Sequence, residues 1–321
     1  LLNTVTKLLN FLPPEFAHSF TINALKYFNL KNSNFDDPIL SQHLFGLDFP
    51  NPIGLAAGFD KNGDYLNFAS NIGLGFIEIG TVTPRPQYGN QKPRIFRLIK
   101  DQAIINHLGF NNKGVDYLKN KLKTFDRSQP IGINIGKNSS TQIEKAYEDY
   151  EYCMEEIFVL ADYITLNISS PNTARLRELH MESSLNLFLN KIKKKHDILV
   201  KKYHKHVPLV LKVSPDINQP DLENFCKLLI NYEIDGVVAT NTTINRDILV
   251  NDVSENISKP KKAEIPPPSQ MDYYSANKKP KPFKKGNRTG DQMAEAFLCG
   301  LQSSLKRKHQ PEEPDESSDS D

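Results

Sequence analysis

A chain of 321 residues, 38% of them hydrophobic, can bury the core of one large or two ordinary domains. Its 40 basic residues are nearly balanced by 38 acidic ones, so the net charge of +2 points to no overall electrostatic partner. Cys153, Cys226 and Cys299 are odd in number, widely spaced and without metal-ligand spacing, which argues for a reducing compartment and against a metal site; no run reaches the roughly 18 apolar residues of a spanning helix.

The chain begins at Leu1 rather than Met, which leaves room for a few residues or a targeting segment upstream. Leu1, Leu2, Val5, Leu8, Leu9 and Leu12 share one side at helical spacing, and Pro13-Pro14 stops that helix. Residues 15–30 predict a second, looser amphipathic helix with Phe16, Phe20, Tyr27 and Phe28 along one side and Ile22 and Leu25 turned away. Two short helices across a prolyl turn suit two readings. One is a hairpin packed on the body of the protein, the other an apolar face that rests on a membrane surface or admits a hydrophobic ligand.

From residue 51 onward a unit repeats, in which a short apolar strand ends in a polar or glycine-rich turn. Strands are predicted at 53–57, 76–80, 131–135, 163–166, 207–213 and 236–239, with helices at 115–124, 143–161, 183–200 and 219–232 between them. Alternating apolar strands and helices mean a parallel sheet covered by helices. Polar groups gathered after the strands point to a (β/α) barrel, of the TIM type, with its site at the C-terminal mouth.

The most informative strand end is residues 162–172, D-Y-I-T-L-N-I-S-S-P-N. An apolar, β-branched run breaks there into small polar groups. Asn167 and Asn172 each bring an acceptor and two donors, Ser170 brings a hydroxyl, and Pro171 pins the turn. Such a set suits a flat, multiply hydrogen-bonded ligand, or simply caps a turn. Lys212 lies inside the apolar run 207–213, where an ammonium is expensive unless it meets an anion; the alternative is a snorkelling edge residue.

Six stretches carry a resemblance. They are N-P-I-G-L-A-A-G-F-D-K-N-G (51–63), I-E-I-G-T-V-T-P-R-P-Q-Y-G-N-Q-K-P-R-I-F-R (77–97), I-N-H-L-G-F-N-N-K-G (105–114), G-I-N-I-G-K-N (132–138), N-I-S-S-P-N-T (167–173) and A-T-N-T-T-I (239–244). In this order and spacing the chain resembles the quinone-using, membrane-associated class of dihydroorotate dehydrogenases. The resemblance implies oxidation of dihydroorotate to orotate in pyrimidine biosynthesis. A proton leaves one ring carbon and hydride passes from its neighbour to FMN.

On this resemblance Ser170 falls on the catalytic base, with Phe110 and Thr173 shaping its proton outlet. Lys61 faces the substrate carboxylate. Asn106, His107, Leu108, Gly109, Phe110, Asn167, Asn172, Asn241 and Thr242 surround the pyrimidine. Ala57, Gly58, Phe59, Asp60, Lys61, Thr81, Asn134, Asn167, Lys212 and Thr240 fall on FMN contacts, Lys212 facing the negative charge that reduction places on the flavin. The helical pair would dock on a bilayer surface as a monotopic lid and admit the quinone, with Leu12, Phe16, Phe20 and Phe28 as tunnel wall; peripheral association with the cytoplasmic face of a bacterial inner membrane or with the mitochondrial inner membrane is implied, and no nucleic acid is expected for the barrel.

The resemblance stops near residue 249. Residues 251–321 hold 24 charged residues and eight prolines among 71, a composition that predicts disorder. Residues 259–288 carry nine basic and two acidic residues, residues 292–308 suit one short helix, and the end is the acidic run E-E-P-D-E-S-S-D-S-D. The expected architecture is therefore a residue 1–32 helical pair, a residue 33–250 barrel lacking its last two strand-helix units, and a disordered tail. Six strands leave two open edges, and the loops that hold the FMN phosphate are missing, so weak FMN binding and slow or no turnover are expected. A second reading gives function to the tail, as a basic nuclear-type or nucleic-acid-binding module on a degenerate barrel.

Overall fold

The computed structural model describes residues 9–25, 37–247 and 249 of the chain. They fall in two compact units, the first with residues 9–25 and the second with the remainder. In the first, Pro13 precedes helix α1 (Pro14–Leu25), which carries Pro and Glu in its opening turn where a missing N–H and a carboxylate are both tolerated. Its Phe16 and Phe20 rings stack 6.3 Å apart and are each 57% exposed, whereas Ala17 and Ile22 are buried. The predicted helix over residues 1–12 and Tyr27 and Phe28 lie outside the described residues except for residues 9–12, as does the tail 251–321.

The second unit runs β1 (Gln42–Leu44), β2 (Leu47–Phe49), β3 (Gly54–Leu55), α2 (Leu66–Ser70), β4 (Phe76–Val82), β5 (Ile95–Leu98), β6 (Ala103–Asn106), α3 (Val115–Leu122), β7 (Ile131–Ile135), α4 (Ala146–Ile157), β8 (Tyr163–Asn167), α5 (Glu182–Tyr203), β9 (Leu209–Val213), α6 (Gln219–Asn231) and β10 (Gly236–Ala239). Six strands form one parallel sheet in the order β10-β9-β8-β7-β4-β3. This is the open part of a (β/α)8-type barrel, with β3 and β10 at its edges among the described residues.

Strand alternation separates two surfaces. Ile77, Ile79, Ile131, Ile133, Ile135, Ile164, Leu166, Leu209 and Leu211 are fully buried in one core with Leu118, Tyr150, Met154, Leu185, Leu189 and Phe225 of the helices. Each such side chain contributes roughly 1.5–3 kcal/mol by burial. The other surface is polar. Glu78 is in register with Gly132, Gly80 with Asn134, Asn134 with Thr165, and Asn167 with Lys212, so these side chains share the inner face. The Tyr163 ring lies where a Cβ on Gly132 would stand, 2.0 Å from its Cζ, which is why that position is glycine.

Two antiparallel hairpins escaped sequence reasoning, β1-β2 and β5-β6. The first turns through Phe45 and Gly46, both at positive φ (58° and 72°), as a two-residue hairpin requires. The Phe45 ring lies beneath Gly236, 2.6 Å from where its Cβ would be, and Phe49 meets Phe76 edge-on at 5.6 Å.

Some predicted bounds need correction. The strand expected over 53–57 is only Gly54–Leu55, because Ala56 onward already forms the turn that carries Gly58 and Asp60. The strand over 207–213 begins at Leu209, after Pro208. The helix over 143–161 is α4 flanked by tighter 3-10 turns, Ile143–Lys145 and Phe158–Leu160, the usual way a helix end satisfies its last carbonyls. Helix α5 is longer than predicted and stops at His204, in the left-handed region.

Candidate active site

A carboxylate stands at the bottom of the polar face. Glu78 is 5% exposed and accepts three hydrogen bonds, from Asn134 Nδ2 (2.8 Å), Tyr163 OH (3.2 Å) and Thr165 Oγ1 (3.1 Å). Burial, followed by the Glu78 charge, pushes the Tyr163 phenol far up, so it stays a donor. Because Asn134 gives its amide protons downward, its oxygen faces up and accepts from Thr81 Oγ1 (2.5 Å) and Asn167 Nδ2 (3.2 Å). Asn167 Nδ2 also donates to Thr81 Oγ1 (2.9 Å), and Asn167 Oδ1 accepts from Ser169 Oγ (3.1 Å) and Asn241 Nδ2 (3.4 Å). Asn241 Nδ2 donates in addition to Ser169 Oγ (3.0 Å). The relay therefore climbs from β4 through β7 and β8 to the loop after β10.

Lys212 stands beside this relay, opposite Asn167 in the β8-β9 register. It is 8% exposed, and among the described residues its ammonium has no hydrogen-bond or ion-pair partner. An ammonium so placed is costly unless an anion meets it.

A second cluster forms at the mouth. Asn172 Nδ2 donates to the backbone and side-chain oxygens of Asn106 (both 3.2 Å), His107 Nδ1 lies 3.4 Å from Asn172 Oδ1, and Asn90 Nδ2 donates to the Asn172 carbonyl (3.4 Å). Ser170, 5% exposed, accepts from the Asn172 N–H (3.3 Å). Thr173 Oγ1 is buried and has no hydrogen-bond partner among the described residues. Phe110 holds a positive φ of 53°, and its ring fills the space a side chain on Gly136 would need, beside Thr81. Leu108 and Gly109 are bound through their carbonyls, to Asn90 N–H and Gln87 Nε2.

The loop after β3 closes the first cluster from its other side. Gly58 N–H donates to the Gly80 carbonyl (2.7 Å) and Gly80 N–H to the Asp60 carbonyl (3.0 Å), which fixes residues 57–60 against the end of β4. Asp60 is fully buried. Burial raises its carboxyl, while the N–H groups of Tyr65, Asp64 and Asn62 pull the other way, so it anchors the loop rather than reaching outward. Lys61 Nζ donates to Asn111 Oδ1 at 2.6 Å, beside Phe110. Ala57, Gly58 and Phe59 are half-buried, and Gly58 has φ of 113° with open space where a Cβ would stand.

Many of the predicted residues thus fall in two hydrogen-bonded clusters on adjacent loops, which are joined in the chain where Ser169 precedes Ser170. Thr240 and Thr242 lie at the exposed margin of the set, because β10 is an edge strand among the described residues. Sequence reasoning missed Glu78, Asn90, Asn111, Ser169 and Arg177 of this neighbourhood. For Glu78 the signal was present, a charge inside the apolar run F-I-E-I-G-T-V, the same signal that singled out Lys212.

The family model described as dihydroorotate dehydrogenase matches residues 39–264. The chain belongs to the dihydroorotate dehydrogenase family. A protein named dihydroorotate dehydrogenase (quinone) from Coxiella burnetii (strain Dugway 5J108-111) is 48% identical over 241 residues, covering 73% of this chain and 69% of that protein. One of the same name from Buchnera aphidicola subsp. Schizaphis graminum is 50% identical over 245 residues, covering 75% and 73%. Among solved structures, the dihydroorotate dehydrogenase of Eimeria tenella in complex with ferulenol superposes with a TM-score of 0.68 at 36% identity, covering 77% of this chain and 71% of that one. The family match runs past residue 249, where the resemblance read from motifs ends.

Proposed function

We propose that the chain carries the site of an FMN-dependent dihydroorotate:quinone oxidoreductase of pyrimidine biosynthesis. The observation that carries this reading is Lys212, a largely shielded side chain on the polar face whose ammonium has no partner among the described residues, beside an ordered ladder of amides. The fit to a flavin rests on that orphaned cation together with the open backbone at Gly58. Lys212, Asn134, Asn167, Thr81, Thr240 and residues 57–61 would hold it, and FMN when bound supplies the hydride acceptor.

The chain's own residues do the rest. Asn106, Asn172 and Asn241, with Asn167, offer the donors and acceptors a planar pyrimidine needs, and Lys61 offers a cation to its carboxylate. Ser170 takes the proton from the ring carbon. A hydroxyl is a weak base, so it needs exclusion of bulk water, to which its burial contributes, and an outlet, for which the buried Thr173 hydroxyl, unpartnered among the described residues, is a candidate. The exposed Phe16-Phe20 pair on α1 suits peripheral contact with a bilayer and a quinone tail; among the described residues no helix is long and apolar enough to cross a membrane.

The test is anaerobic. FMN is titrated into the purified chain, dihydroorotate is added, and bleaching of bound-flavin absorbance is followed before and after a soluble quinone. Bleaching reversed by quinone supports the proposal. Bound flavin that dihydroorotate does not reduce defeats it, and the titration itself measures whether FMN binds as weakly as the sequence leads one to expect.

A further inference from the structure

Three loops at the mouth meet at one guanidinium. Arg177 lies in the 3-10 turn Leu176–His180 that follows the β8 loop. Its Nε donates to the Ser169 carbonyl (3.1 Å), one terminal nitrogen to Asp216 Oδ2 (2.8 Å) and the other to the Thr242 carbonyl (3.2 Å). These acceptors belong to the loops after β8, β9 and β10. The two carbonyls directly adjoin the residues proposed to act: Ser169 precedes Ser170, and Thr242 follows Asn241. Ser169 is moreover held from its other end, because its hydroxyl accepts from Asn241 Nδ2 (3.0 Å).

Asp216 completes the arrangement. Its carboxylate also accepts from the Ile244 N–H (3.0 Å) and the Thr243 hydroxyl. Burial raises this carboxyl, but the Thr243, Ile244 and Arg177 donors outweigh it and hold it below the ordinary value, so it stays charged opposite the guanidinium. Both side chains are mostly shielded, at 22% and 19% exposure, which strengthens the pair relative to a surface bridge.

We propose that Arg177 is a positioning residue that sets the distance between Ser170 and Asn241 across the substrate, by tying the Ser169 and Thr242 carbonyls to Asp216 with one rigid fork. This rests on the reading of the site as a dihydroorotate site. Only arginine fits the task. Its donors diverge in a plane and reach three acceptors at once, whereas a lysine ammonium at the end of a flexible stem cannot hold all three.

The test uses the full chain and does not need turnover. Amide hydrogen exchange is compared for the parent, Arg177→Ala, Arg177→Lys and Asp216→Asn. Arg177→Ala raises exchange on the order of tenfold in the segments 169–173 and 241–245 while β7, β8 and α5 keep their protection. Asp216→Asn reproduces the pattern, and Arg177→Lys is intermediate. Arg175→Ala, which removes a guanidinium paired with surface Glu178 and Glu144 among the described residues, leaves both segments unchanged. In flavin-loaded protein Arg177→Ala lowers kcat and raises KM for dihydroorotate together, and Arg177→Lys recovers part of each. Unchanged exchange in both segments, or an equal rise throughout the sheet, overturns the proposal. A chain that shows the exchange pattern but fails to oxidise dihydroorotate leaves the clamp standing and removes only the substrate assignment.

Discussion

Asn134 hands an amide proton to Glu78 at 2.8 Å and by doing so turns its own oxygen toward Thr81 and Asn167. Glu78 accepts all three of its hydrogen bonds, so it fixes the sense of each amide above it, up to Asn241. The orientation of the amides proposed to read the ligand is thereby decided at the base of the cluster.

Removing that carboxylate should be severe. Glu78→Ala leaves three buried donors, on Asn134, Tyr163 and Thr165, without an acceptor, and should cost roughly 3–5 kcal/mol. Glu78→Gln keeps the shape but offers protons as well as a lone pair, and should cost about 1–3 kcal/mol. Urea denaturation of the two variants gives both numbers, and a Gln variant worse than the Ala variant would contradict the argument.

Lys212 should behave oppositely with and without flavin. In the free protein Lys212→Met replaces an unpaired, largely shielded lysine with an apolar chain of like length and should be neutral or stabilising by about 1 kcal/mol. FMN affinity should fall on the order of tenfold or more, since a charge-assisted contact is worth roughly 1.5–3 kcal/mol. Thermal melts with and without FMN measure the two signs together.

Ser170→Ala should retain flavin and lose its reduction by dihydroorotate, on the order of 10² to 10⁴-fold, the span of a general base. Stopped-flow bleaching of the bound flavin provides the rate. Equal rates in variant and parent would move the base elsewhere.

His180 should give the fold an acid-sensitive step. Burial first, and then the Arg177 guanidinium, lower its imidazole from 6.5 to about 4. The folded value lies below the unfolded one, so the unfolded chain takes up the proton first. The stability contributed is complete above pH 6.5 and is lost as pH falls through the window down to about 4. The loss is at most about 3 kcal/mol. Denaturation midpoints of the parent should fall more steeply across this window than those of His180→Leu; parallel slopes would rule the effect out.

Much of the fold could be read in advance because it depends on local pattern. Ile131–Ile135 and Tyr163–Asn167 are buried along their whole length and are rich in isoleucine and other strand-forming residues, and Asn218 with Pro220 and Asp221 marks the start of α6, where the Asn218 side chain accepts the Asp221 N–H. The β1-β2 hairpin was hidden because its first strand is exposed along its whole length and carries no alternation, although Leu44-Phe45-Gly46-Leu47 held the turn signal. The ladder of asparagines was visible residue by residue, but its direction was not, because that depends on Glu78 fifty-six positions from its partner. Arg177 was invisible for a similar reason: its three acceptors come from loops that only the folded sheet brings side by side.

The ring of Phe45 lies under the first residue of β10, while Phe49, at the far end of the same ribbon, leans on Phe76 of β4. One short ribbon thus spans the floor from one end of the arc to near the other, as a string spans a bow. Through those two contacts the edge strand that leads into Asn241 and the strand that carries Glu78 rest on the same ribbon, although they stand toward opposite ends of the strand order.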